Sequence, residues 1–118
     1  MGNTLNTEYG QVIISEDVIA DIVGIAAIEC YGIVGMASKR FKDGIWELLK
    51  RENLSKGVVI KSSDKKLIVE VYIIVSYGVN ISQVCQNVMD KVKYTLETNT
   101  GLEMDEVNIN VQGIRVEE

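Results

Sequence analysis

Histidine is absent from this 118-residue chain. That removes the commonest general base, the commonest metal ligand and every Ser-His or Cys-His nucleophile arrangement. Cysteine occurs twice, at Cys30 and Cys85, too sparsely for a transition-metal centre or a disulfide framework. Both lie in apolar helical patterns, where a free thiol behaves as a small buried hydrophobe. No Walker or Rossmann spacing occurs, so nucleotide binding has no motif. The segment from Met1 to Gly10 is polar and lacks an apolar core of the kind a secretory signal needs, which predicts a cytosolic protein. Gly2 is not a myristoylation signal, because Asn6 stands where that motif has Ser or Thr. The uncharged run Val71 to Met89 is broken by Ser76, Gly78, Asn80, Ser82, Gln83, Gln86 and Asn87. Its period changes from two to about 3.6 midway, so it predicts a strand followed by a helix, not a membrane span. No enzyme chemistry, cofactor or metal is expected.

What is present is an ordinary globular composition, 47% hydrophobic and 25% charged, in a length that suits one domain with a real core. The net charge is −5, which disfavours a dedicated binder of double-stranded nucleic acid. Between Lys39 and Lys66, however, nine basic and four acidic residues give a local net of +5 on an otherwise acidic chain. Such a segment either meets an anionic surface or is a solvated face. Its first part, Lys39 to Glu52, has a net charge of +2, which near an anionic bilayer contributes only about 2 kcal/mol. A protein that receives Phe41 or Trp46 gains more, since a buried aromatic anchor is commonly worth about 2 kcal/mol or more. The partner-binding candidates are therefore Lys39, Arg40, Phe41, Trp46, Lys50 and Arg51. The competing reading has both aromatics covering the domain's own core.

Along the chain, residues 1–8 read as a polar tail and 9–116 as one domain. Tyr9 to Ile14 is β-branched and predicts a first strand; Ser15 is a helix cap, followed by Glu16 and Asp17 in the favourable first turn. In the helix to about Cys30, Val18, Ile19, Ile22, Val23 and Ile25 share one broad face, and Ala20, Gly24 and Ala27 fall opposite. The small residues are candidates for self-association, with close packing inside the chain as the alternative.

Tyr31 to Ala37 predicts a strand, and Asp43 caps a short helix in which Ile45, Leu48 and Leu49 share a face. Gly57–Lys61 and Leu67–Tyr77 predict a hairpin around Ser62–Lys66. In its longer strand, Leu67, Val69, Val71, Ile73 and Val75 form an apolar face; the opposite face is mixed and so only partly covered. Asn80 and Gln83 have capping-box spacing ahead of a helix bearing Ile81, Val84, Cys85, Val88, Val92 and Leu96 on one side. Val107, Ile109 and Val111 alternate with polar residues as a last strand, whose phase slips at Gly113 in the manner of a β-bulge. The expected class is α+β: a single-domain sandwich of a mixed sheet with two main helices on one face.

Two constellations have weak chemical readings. Glu103, Asp105 and Glu106 read as a solvated turn more readily than as a hard-cation site. Gly32-Ile33-Val34-Gly35 has the Gly-x-x-Gly spacing with which KH domains clamp a nucleic-acid backbone. Its Ile and Val suit a core strand better, and a KH-like nucleic-acid module is the alternative function.

Taken together, Tyr9-Gly10-Gln11-Val12-Ile13-Ile14, Ile22-Val23-Gly24-Ile25-Ala26-Ala27, Tyr31-Gly32-Ile33-Val34-Gly35-Met36, Val71 to Gly78 and Val107 to Ile114 form an ordered series. The sequence resembles the alkaline-shock, or envelope-stress-response, family of small proteins from Gram-positive bacteria, and is especially similar to its short housekeeping branch. The likeness spans about Tyr9 to Val116. It implies a non-catalytic cytoplasmic protein linked to envelope stress or fatty-acid metabolism. It also implies self-association into a homo-oligomer and protein partners such as a separate membrane anchor protein or a fatty-acid-kinase-type protein, through which the chain reaches the inner face of the membrane. The family offers no catalytic residues to carry over. Its stress-induced members often have longer charged terminal extensions than this chain shows.

Overall fold

Both helices start at the capping side chains that the sequence marks. In a computed structural model, which describes residues 3–37, 51–63 and 66–116, helix α1 spans Glu16–Ile28 and helix α2 spans Ile81–Thr100. Ser15 Oγ accepts the Val18 N–H at 3.3 Å, and Asn80 Oδ1 accepts the Gln83 N–H at 3.1 Å. Each bond satisfies one of the donors left open at a helix start. Gln83 does not complete a capping box; its amide donates to Asn87 one turn on. Gly101 ends α2 with φ 77°, a left-handed cap whose N–H donates to the Glu97 carbonyl.

The strands are β1 (Thr4–Thr7), β2 (Gly10–Ile13), β3 (Ile33–Met36), β4 (Val58–Ser63), β5 (Lys66–Ser76) and β6 (Glu106–Arg115). A 3-10 helix, Arg51–Gly57, leads into β4. The central strand is β5. Antiparallel β4 pairs with residues 66–71 and antiparallel β3 with residues 73–75, while parallel β6 pairs with residues 68–76. One edge of β5 is thus lined by β6 for most of its length, and β4 and β3 share the other edge end to end. The expected slip near Gly113 is present: β6 shifts register between the positions opposite Ile73 and Ile74.

Leu67, Val69, Val71, Ile73 and Val75 of β5 are fully buried and form one core with α1 and α2. At roughly 1.5–3 kcal/mol for each such side chain, this row supplies a large part of the driving force for the helix–sheet sandwich. From α2 the core receives Val84, Val88, Val92 and Leu96, all on the face expected from the 3.6-residue period. The other face of β5 is mixed, as expected: Ile74 is buried, whereas Ile68, Glu70, Tyr72 and Ser76 are partly exposed.

Three features depart from the sequence reading. Residues 4–7, assigned there to a polar tail, form β1, which pairs with β2 in a separate two-stranded sheet. Asn3 closes this hairpin: its side-chain amide donates to the Ile14 carbonyl at 2.7 Å, and its backbone carbonyl accepts the Ile14 N–H. Second, the broad apolar face of α1 is not all buried. Val18 and Ile25 are exposed, and the buried side is Ile19, Ala20, Val23, Gly24, Ala26 and Ala27. The small residues decide this, because they let the 3-10 helix lie against α1. A Cβ on Gly24 would stand 3.0 Å from Leu54 Cβ and 3.3 Å from the Leu54 backbone. Third, the segment before β4 ends in a 3-10 helix over 51–57; the Asp43-capped helix expected ahead of it lies outside the described residues.

Because Leu54 has backbone as well as side chain against Gly24, it has little room to yield. Gly24→Val is expected to destabilise the fold by about 1–3 kcal/mol through overpacking, measured by urea unfolding with circular dichroism. An unchanged midpoint would show that the 3-10 helix is not held on α1.

Candidate interaction surface

Gly32 fixes how the chain passes from α1 into the sheet. Its φ of 88° lies in the left-handed region, and a Cβ there would stand 2.8 Å from Val84 Cγ2. The Gly32 carbonyl accepts the Ser76 N–H, and Ile33 pairs with Val75. The Gly32–Gly35 segment is therefore sheet backbone already bonded to β5, not a loop open to a phosphate chain. The structure gives the nucleic-acid alternative no support.

Just beyond the bonded Gly32 and Ser76, Tyr31 in the α1–β3 turn and Tyr77 after β5 are 84% and 72% exposed. Tyr77 is held by its N–H bond to the Arg115 carbonyl at 2.9 Å, and exposed Val116 follows Arg115 on the third strand. An aromatic and apolar group thus sits at one end of the sheet. Sequence reasoning missed it as a site, because the two tyrosines are distant in sequence and only the β3–β5 pairing joins them. The available signal was two tyrosines, each next to a glycine at the end of a predicted strand.

The candidates named from the sequence fall into two groups. Ala20, Gly24 and Ala27 are buried on the inner side of α1, where Leu54 covers Gly24. Lys39, Arg40, Phe41, Trp46 and Lys50 lie outside the described residues, and Arg51 opens the 3-10 helix. The residues flanking that segment, Ala37 and Gly57, come together: a Cβ on Gly57 would meet the Ala37 carbonyl at 2.8 Å. Leu54, within the basic stretch, is itself buried against Gly24. Farther along it, Lys61 pairs with Glu70 at 3.4 Å, while Lys56 and Lys66 are exposed.

The acidic group near β6 has a structural use. Asp105 Oδ2 accepts the Leu67 N–H at 2.6 Å, and the Asp105 N–H donates to the Leu67 carbonyl. These two bonds align the starts of β5 and β6. No cluster of three or more metal-ligating side chains occurs among the described residues. No helix among them is long and apolar enough to cross a membrane.

A profile of one protein family, with a cell envelope-related function, matches residues 4–116. The chain belongs to the alkaline shock protein 23 family. The family match takes in β1 as well, so the residues read as a tail fall within the shared domain. Similar proteins include the uncharacterized protein YloU of Bacillus subtilis (strain 168), 53% identical over 98% of both chains. The uncharacterized protein Spy1614 of Streptococcus pyogenes serotype M6 is 50% identical, over 95% of this chain and 93% of that one. A homolog of the stress response regulator gls24 from Streptococcus pyogenes serotype M3 is 26% identical over 92% of this chain, which covers 61% of that protein. No solved structure matches the chain significantly.

The family chain's two thiols are both partly buried, and Cys30 Sγ lies 3.5 Å from the Ala26 carbonyl it donates to. Burial pushes both thiols above their ordinary value; at Cys30, Lys91 opposes this and Glu29 adds to it. A raised thiol pKa favours the protonated form in the folded state. The resulting stability is present below the ordinary thiol value and is lost as pH rises through the raised one. Urea stability is thus expected to fall as pH rises above the ordinary thiol range, and Cys30→Ala/Cys85→Ala to reduce that slope. An identical pH slope in the double variant would contradict the assignment.

Proposed function

We propose that this member of the alkaline shock protein 23 family is a non-catalytic scaffold or regulator. It acts in the cytoplasm in cell-envelope stress or lipid homeostasis, through protein partners. The observation that carries this reading is the exposure of Tyr31 and Tyr77 together at one end of the sheet, in a chain whose family has a cell envelope-related function. Tyrosine offers a large apolar face and a polar tip, which favours it at protein interfaces. The similarity to a stress response regulator gls24 homolog supports a regulatory role over an enzymatic one.

The basic segment supplies a second contact in this proposal, with Phe41 or Trp46 as anchor and Lys39, Arg40, Lys50 and Arg51 setting complementarity to an acidic partner. Membrane association then runs through a partner, such as an anchor protein or a fatty-acid-kinase-type protein.

Crosslinked pull-down from a Gram-positive lysate tests the proposal, with folding checked for each variant. Wild type is expected to capture a membrane or lipid-metabolism protein. Trp46→Ala/Lys50→Glu and Tyr31→Ser/Tyr77→Ser are each expected to lose about tenfold or more of it, in line with removal of interface anchors. Equal capture by wild type and both variants would rule out these surfaces.

A further inference from the structure

The outer edge of β6 is the longest unpaired strand edge among the described residues. Alternation of the backbone shows which groups it presents. The Ala37 N–H bonds the Tyr72 carbonyl, and the Ser76 N–H bonds the Gly32 carbonyl; even-numbered residues of β5 therefore face β3, and odd-numbered ones face β6. In a parallel ladder each of those residues bonds the two neighbours of its register partner. Val71 and Ile73, opposite Ile109 and Val111, thus engage Asn108, Asn110 and Gln112. Past the bulge, the bond from Tyr77 N–H to Arg115 O turns Arg115 inward. The N–H and C=O groups of Val107, Ile109, Val111 and Ile114 are left pointing away from the sheet.

This margin carries few of the devices that keep an open edge from pairing. The opposite edge of β5 is covered by two short strands, one of which bears Lys61. β6 has ten residues and no lysine. Its charges lie only at its ends, Glu106 first and Arg115 last. Val107, Ile109 and Val111 are only partly buried, and Ile114 is 50% exposed, so the helical layer stops short of this margin.

We propose that β6 pairs antiparallel with β6 of a second copy of this chain, about a two-fold axis through Asn110. The register follows from the bulge. Asn110 faces its own copy, Ile109 opposes Val111, and Gln112 is the extra residue. Beyond it Asn108 opposes Gly113, Val107 opposes Ile114, and Glu106 opposes Arg115. Every pair then joins residues on the same face of the sheet, as strand pairing requires. The outward-facing Val107, Ile109, Val111 and Ile114 are the ones that exchange hydrogen bonds, and their side chains extend the apolar layer across the junction. On the other face, Glu106 and Arg115 form opposite-charge pairs at both ends, in positions where side chains approach closely. A partner strand that is acidic at one end, basic at the other and matched to the bulge is a second β6, which selects this occupant over an unrelated peptide. The contact is isologous and closes as a dimer. It is independent of the Tyr31–Tyr77 and basic-segment contacts.

Sedimentation equilibrium of the full chain tests it. Wild type is expected to show a concentration-dependent dimer. Glu106→Lys and Arg115→Glu, at two exposed positions, are each expected to weaken it about tenfold, by turning two attractive pairs repulsive. The double variant is expected to restore wild-type affinity, and an equimolar mixture of the two single variants to form the heterodimer in preference to either homodimer. In amide exchange by NMR, Val107, Ile109, Val111 and Ile114 are expected to gain protection as concentration rises. A monomer at every soluble concentration overturns the proposal, as does a dimer in which those four amides exchange as in the monomer. Failure of the double variant to restore affinity overturns the register.

Discussion

The pairing of β5 on both edges is the constraint on which this structure depends. Its eleven residues receive three strands, and its buried row from Leu67 to Val75 receives both helices. A strand in that position needs β-branched and apolar residues in unbroken alternation, and must have backbone partners for every buried amide. β3, β4 and β6 supply the partners. Each is short or partly exposed, and each is held in place by its bonds to β5. The Asp105 carboxylate on the Leu67 N–H and the Gly32 carbonyl on the Ser76 N–H act near opposite ends of the same strand.

Small residues make the remaining contacts possible. Gly24 admits Leu54, Gly32 admits Val84, and Gly57 admits Met36 and Ala37. Each contact joins segments far apart in the chain, and together they hold the 3-10 helix against α1 and the α1–β3 turn against α2. The surface is correspondingly divided. Aliphatic packing occupies the helix side of the sheet, and Tyr31 and Tyr77 stand exposed near one end of it.

Much of the fold was legible because its signals are local. Ser15, Asn80 and Gly101 mark helix ends by hydrogen bonds and φ values set within a few residues. The alternation in Leu67–Val75 names the core face directly, and the phase slip at Gly113 announces a bulge before any partner is known. The misreading of α1 has an equally specific origin. Helical periodicity groups Val18 and Ile25 with Ile19 and Val23, but only the arrival of Leu54 against Gly24 decides which side is covered. The hairpin was overlooked because residues 4–7 have no hydrophobic pattern of their own; Asn3 and Ile14 close it across eleven positions. The candidate site was legible in part. The basic and aromatic residues between Lys39 and Arg51 stand out by charge, whereas Tyr31 and Tyr77 are neighbours only in space.

The sequence by itself determined the two capped helices, the central apolar strand, the α+β class and the family, since these follow from periodicity, capping chemistry and ordered motifs within short windows. Tertiary structure alone decided that β6 lies parallel beside β5, which face of α1 is buried, and that three strands bring Tyr31, Tyr77 and Val116 to one end of the sheet. Strand order and edge exposure come from pairings between residues tens of positions apart. No local propensity encodes which of several suitable strands will be the neighbour.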